Sequence, residues 1–216
     1  MCPAFQIEHK NLREKISERI REDILNAKFE PGERLLVDQL AAEMGVSKTP
    51  LREALVRLEE EGFVTSVPRG GTYVKDFTAK EIEEIYEIRE MLESLAGRLL
   101  AQSIRDKQIE ISAKTCQLFA ESIEKGNIKT CIRNDFKFHS QILEMCGNDN
   151  LKQILNTLQL KIISIMHLKP SQFNLEIHLE IFRAIANGNS DLTEKLIREH
   201  IAQVKNAILL EMLKDS

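Results

Sequence analysis

Apolar residues recur at helical spacing along almost the whole chain, and one short stretch departs from it. Over residues 10–27, Leu12, Ile16, Ile20, Ile24 and Leu25 fall on one face of a helix, which Phe29-Glu30-Pro31-Gly32 then interrupts. A second, short helix is predicted from about Leu36 to Met44, closed by Gly45, a residue suited to a left-handed cap. Ser47 is placed to cap a third helix, with Pro50 in its first turn, where a missing N–H is tolerated. Leu51, Ala54, Leu55 and Leu58 give that helix an inward face as far as about Glu61, and Gly62 ends it. Next come Phe63-Val64-Thr65-Ser66-Val67 and Thr72-Tyr73-Val74-Lys75, two β-prone runs flanking Pro68-Arg69-Gly70-Gly71, the pattern of a hairpin. The order of helix, helix-turn-helix and hairpin predicts a winged helix-turn-helix over residues 1–76.

Asp76-Phe77-Thr78 is the expected linker, with Thr78 and Glu81 forming a capping box at the start of the next helix. From there only helical periodicity is found. Breaks are expected near Ser103–Asp106, Lys125–Asn127, Gly147–Asp149, Lys169–Ser171 and Gly188–Ser190. They divide residues 77–216 into about six helices, an antiparallel bundle. The fold class is therefore mainly α: a winged helix-turn-helix followed by an all-helical domain.

Composition agrees. The chain has 216 residues, 43% hydrophobic and 30% charged, with no Trp and few Gly or Pro, which favours helices over a β-sandwich. No apolar run approaches the roughly 20 residues that span a bilayer. Met1-Cys2-Pro3-Ala4-Phe5 lacks the basic-then-apolar pattern of a signal peptide, so a cytoplasmic protein is expected. Cys2, Cys116, Cys131 and Cys146 show no C-x-x-C spacing and read as small hydrophobes in a reducing compartment. The net charge of −4, and the 12 Lys+Arg against 14 Asp+Glu in residues 1–76, exclude a protein that coats nucleic acid indiscriminately. Any DNA contact depends on where the basic groups sit.

They sit at one place. With Leu51, Ala54, Leu55 and Leu58 facing inward, Lys48, Thr49, Arg52 and Glu53 occupy the outer face at the N-terminal end of the third helix, the end that recognition helices present to the major groove. Arg52 can engage guanine bidentately, Lys48 supplies a compact donor, and Thr49 with the first-turn N–H groups suits phosphate. Arg69, Gly70 and Gly71 form a hairpin tip able to enter a minor groove or touch phosphate, and Arg34 can add a backbone contact. Taken as charges alone, the same residues are equally read as a solvated face or as part of a protein-interaction module.

The stretch Pro31-Gly32-Glu33-Arg34-Leu35, then Gly45-Val46-Ser47-Lys48-Thr49-Pro50-Leu51-Arg52-Glu53-Ala54-Leu55, then Leu58-Glu59-Glu60-Glu61-Gly62-Phe63-Val64 and the Gly-Gly wing closely resembles the DNA-binding domain of GntR-family regulators. The resemblance implies a homodimer on double-stranded, pseudo-palindromic operator DNA. Members commonly carry Arg where this chain has Lys48, so its base readout at that position differs.

Of five histidines, three group with a carboxylate. Asp135 and His139 are four apart on one helical face. His178 and His200 lie eleven residues to either side of Asn189, so an antiparallel hairpin turning there sets them at the same height. Both interrupt apolar stripes. Buried and unpaired, such groups would each cost on the order of 1–3 kcal/mol. A shared cation would satisfy them. Three nitrogens and one oxygen suit Zn²⁺, and Ni²⁺, Mn²⁺ or Fe²⁺ also accept such a set. Separate hydrogen-bonded histidines fit the spacing equally well. His9 and His167 lie outside the group and receive no role.

Asp135-x-x-x-His139 with His178 and His200, and the opening helix Ile85-Tyr86-Glu87-Ile88-Arg89-Glu90-Met91-Leu92-Glu93, resemble the FadR-type C-terminal domain called FCD. That resemblance implies a metal held by these four residues and a small carboxylate effector completing its coordination. Arg89 lies among Ile82, Ile85, Tyr86, Leu92 and Ala96; a charge there is an effector-carboxylate candidate, a structural ion pair or a snorkelling side chain. The leading function is an effector-responsive transcription regulator. Two alternatives are a metal-dependent hydrolase, for which Glu176 or Glu180 would have to supply the base, and a metal that only staples the bundle.

Overall fold

The computed structural model describes residues 6–26, 28–168 and 174–214. Met1–Phe5 with Cys2, the side chain of His9 and the break expected at Lys169–Ser171 lie outside this described part. The chain divides into two compact units, Met1–Asp76 and Phe77–Ser216.

The first unit holds α1 (Gln6–Leu25), β1 (Arg34–Leu35), α2 (Val37–Met44), α3 (Lys48–Glu60), β2 (Val64–Val67) and β3 (Gly71–Val74). Ile16, Ile20 and Ile24 of α1 are buried with Leu51, Ala54, Leu55 and Leu58 of α3, whereas Leu12 is exposed. Burying each Leu or Ile contributes roughly 1.5–3 kcal/mol, which holds two amphipathic helices against each other. Gly45 closes α2 at φ 64°, ψ 32°, the left-handed region a β-carbon disfavours. Ser47 occupies the N-cap of α3, but its side chain makes no capping hydrogen bond. The antiparallel hairpin β2–β3 pairs Val64 with Val74 and Val67 with Gly71. The sequence reading omitted β1, which adds a third strand, giving the order β1-β3-β2 with Arg34 opposite Tyr73. Two residues are too few to show a period of two.

The second unit contains α4 (Ala79–Ser103), α5 (Asp106–Glu124), α6 (Ile128–Met145), α7 (Asp149–Leu168), α8 (Leu175–Ala186) and α9 (Ser190–Lys214). Thr78 and Glu81 form the expected reciprocal capping box at α4. Its core includes Ile82, Tyr86, Leu100, Phe138, Ile181, Ile197 and Ile201. Helices α4 and α9 pack most extensively, meeting at Gly97. A β-carbon there would come within 2.2 Å of Ile197 Cδ1 and 3.0 Å of Thr193 Cγ2, so a larger residue would force these side chains to shift. Cys116, Cys131 and Cys146 are buried and free. Among the described residues no helix is long and apolar enough to cross a membrane.

Candidate metal centre and candidate DNA-contacting face

Three helices carry the cluster. Asp135 and His139 are buried one turn apart on α6, His178 is buried on α8, and His200 on α9. One donor atom from each of the four lies within 4.8 Å of the others. The α8–α9 hairpin brings the His178 and His200 rings to 4.7 Å between centroids, at 74°. His139 stacks on His200 at 5.3 Å, the planes only 8° apart. Phe119 and Phe138 pack edge-on around His178 at 4.8 and 5.1 Å.

The hydrogen-bond pattern bears on whether these residues suit a cation. Asn174 caps α8 through its side chain, while its carbonyl accepts from His178 Nδ1 at 2.7 Å. That bond leaves the lone pair on Nε2. His178 Nε2 is buried and has no aligned hydrogen bond, although Asp135 Oδ1 is 2.9 Å away. His139 Nε2 is likewise buried and unpaired. Two orphaned imidazole nitrogens beside a buried carboxylate form the donor set a divalent ion satisfies. The residues fit the metal.

The electrostatics agree. Burial opposes ionisation of Asp135, but the attraction of the adjacent His178, then of His139, outweighs this and holds it below the usual carboxylate range. Burial, then the neighbouring His178 and His139, push His200 well below the ordinary imidazole value, keeping it neutral as a ligand must be.

One participant was missed. Glu93 of α4 is only 8% exposed. Its Oε1 accepts from Arg89 Nε at 2.7 Å, and its Oε2 lies 2.6 Å from His139 Nδ1. The ring is turned off the ideal line, so neither Oε2 nor Nδ1 has an aligned bond; a 2.6 Å approach between buried groups is nonetheless tolerable only with a proton between them. Burial disfavours the charged form of Glu93, yet Arg89 and then His139 prevail and lower it to about 2. Arg89, 2% exposed, therefore has an internal partner, and its guanidinium also lies 5.3 Å over the Tyr86 ring. The i, i+4 spacing of Arg89 and Glu93 within an apolar stripe was the available signal.

Beside the cluster, Arg89, Glu93, His139, Ser140 and Gln159 line a cavity of only about 10 Å³, about one water. Glu176 and Glu180 are exposed, so neither supplies a base to the buried site. His167 Nδ1 bonds the Ile163 carbonyl at 2.8 Å, as a structural histidine would.

In the first unit Arg34, Ser47, Lys48, Thr49, Arg52, Arg69 and Gly71 are exposed, and Gly70 is half-buried. Arg34, Arg52 and Gly71 line one groove of about 640 Å³ with Asp38, Ser66 and Thr72. Arg34 lies against the wing, since a β-carbon on Gly71 would come within 2.9 Å of its Nε. Arg69 adopts φ 60° at the tip, the only non-glycine positive φ among the described residues. Lys48 Nζ pairs with Asp38 at 2.8 Å. Sequence reasoning had passed over Asp38.

Comparison with known proteins agrees with this architecture. Residues 12–74 match the model for bacterial regulatory proteins of the gntR family, and residues 84–203 match the FCD domain. The chain is 30% identical over 188 residues to the HTH-type transcriptional regulator YdhC of Bacillus subtilis (strain 168), covering 84% of each. It is also 30% identical over 185 residues to the Nta operon transcriptional regulator of Aminobacter aminovorans, covering 84% of this chain and 87% of that one. A GntR transcriptional regulator from Rhodococcus sp. RHA1 has a similar fold, with a TM-score of 0.80 at 22% identity over 91% of this chain and 97% of that one. The chain belongs to the GntR family, with a helix-turn-helix DNA-binding domain and a C-terminal FCD domain. It is a DNA-binding transcription regulator.

Proposed function

We propose that this regulator acts in the cytoplasm as a homodimer on a double-stranded operator, and that a small organic acid sets its affinity by binding at a metal centre in the FCD domain. Asp135, His139, His178 and His200 hold the metal, with Zn²⁺ favoured by the donor set and Ni²⁺, Mn²⁺ or Fe²⁺ also accommodated. The observation that carries this reading is the pair of buried, unpaired Nε2 atoms on His139 and His178. A bound divalent ion supplies positive charge and an open coordination position for a carboxylate. Arg89 lines the adjacent cavity and is the group assigned to the rest of that anion. On the operator, Lys48 and Arg52 read bases, while Ser47, Thr49, Arg34 and the wing residues Arg69, Gly70 and Gly71 contact backbone or minor groove.

A second reading has support of its own. The cavity holds about one water, which favours a metal that only staples the helices, unless the pocket widens around a ligand. One experiment separates the two: operator affinity is measured by fluorescence anisotropy with DNA from the protein's own promoter, across a panel of small carboxylic acids, in metal-loaded and chelator-treated protein. Effector control predicts a shift of about 5- to 150-fold with some acid, in the loaded form only. A melting temperature that falls on chelation, with no acid changing DNA affinity, establishes the staple instead.

A further inference from the structure

We propose that Glu93 is a positioning residue for this centre: anchored at one oxygen by Arg89, it accepts the Nδ1 proton of His139 at the other and leaves the Nε2 lone pair to the cation. The inference rests on the metal reading above and adds to it a carboxylate from a helix that contributes no ligand.

Three observations support it. First, the distances are short on both sides, 2.7 Å to Arg89 Nε and 2.6 Å to His139 Nδ1, and all three side chains are buried. Second, the neighbouring ligand shows the same placement, there with an aligned bond. His178 Nδ1 meets the Asn174 carbonyl at 2.7 Å while its Nε2 is left unpaired. Two imidazoles from different helices thus have an acceptor at Nδ1 and an unpaired Nε2, the arrangement in which an outer partner fixes ring orientation and tautomer for a metal. Third, Arg89 explains how a carboxylate remains charged at this depth. Without a counter-ion a buried carboxylate neutralises rather than pay its desolvation, and a neutral acid is a poor acceptor for an imidazole N–H. Arg89 is the anchor, Glu93 the orienter and His139 the ligand.

The test must separate orientation from mere neutralisation of Arg89. Zn²⁺ affinity is measured by competition with a chromophoric chelator in full-length wild type, in Glu93→Gln and in the double variant Arg89→Met with Glu93→Leu, which removes both charges together and avoids a stranded ion. Positioning predicts affinity about 10- to 100-fold weaker in the double variant, even where its metal-free melting temperature matches wild type, and a smaller loss in Glu93→Gln, whose amide oxygen still accepts. In the long-range ¹H–¹⁵N spectrum of the Zn²⁺-loaded protein, the His139 Nδ1 proton should exchange slowly with solvent in wild type and faster in the double variant. Equal Zn²⁺ affinity in wild type and double variant overturns the positioning role and leaves the metal centre standing. Failure of the wild type to bind Zn²⁺ overturns both.

Discussion

Both units contain an Arg or Lys paired with a carboxylate, and the pairs differ in everything but distance. Lys48 and Asp38 meet at 2.8 Å on the outer surface, with side chains 55% and 78% exposed. Arg89 and Glu93 meet at 2.7 Å with 3% and 10% exposed. An exposed pair contributes about 0–1 kcal/mol and is screened by salt, so Lys48 can exchange Asp38 for a phosphate or a base at little cost. Breaking a buried pair costs about 3–5 kcal/mol, because the survivor is stranded. The outer charges are interchangeable contacts. The inner ones are fixed parts whose placement the surrounding helices dictate, and a ligand for that site must fit what already exists.

The contrast can be pushed hardest from the inside. In His178→Ala combined with His200→Ala, elemental analysis should show metal content falling from about one ion per chain toward zero, since structural and catalytic zinc sites need three or four protein ligands. Undiminished content would place the ion elsewhere and remove the basis for treating the buried cluster as a single site. On the outer face the effects should be smaller. Arg52→Ala should weaken specific operator binding by about 1–3 kcal/mol, measured by anisotropy over a salt series, with non-specific DNA much less affected. Equal losses on both DNAs would reassign Arg52 to phosphate. Smallest of all, Asp38→Asn should strengthen DNA binding only slightly, by freeing Lys48 from an exposed, salt-screened pair. The Lys48 hydrogen bond and charge hold the Asp38 carboxyl below its ordinary value, so this gain should stay flat between about pH 6 and 8, well above the carboxylate range. A gain that appears only in acid would assign the effect to another group.

Legibility from sequence follows the same division. Long amphipathic periods announced α1 and the helices of the bundle, and the Thr78–Glu81 capping box was readable because its chemistry is local. Asp135, His139, His178 and His200 could be grouped because i, i+4 spacing and a hairpin turn convert sequence distance into height. Strand β1 was not legible, since Arg34 and Leu35 become a strand only through β3, some forty residues later. Glu93 was hidden for a related reason. Its i, i+4 relation to Arg89 is local, but its contact with His139 depends on how α4 packs against α6, which no periodicity encodes. Ser47 shows the reverse: its position at the N-cap was foreseeable, and its side chain makes no capping bond.

The close passage of α4 against α9 at Gly97 has a consequence beyond packing. Glu93 lies one turn before that glycine, and His200 one turn after the Ile197 that fills the space above it. The packing beside the buried cluster thus depends on an atom that is missing: a methyl group at position 97 would press on the ends of the Ile197 and Thr193 side chains, which would have to shift on the helix that also bears His200. A residue with no side chain leaves room for the side chains that pack between the helix of Glu93 and the helix of His200.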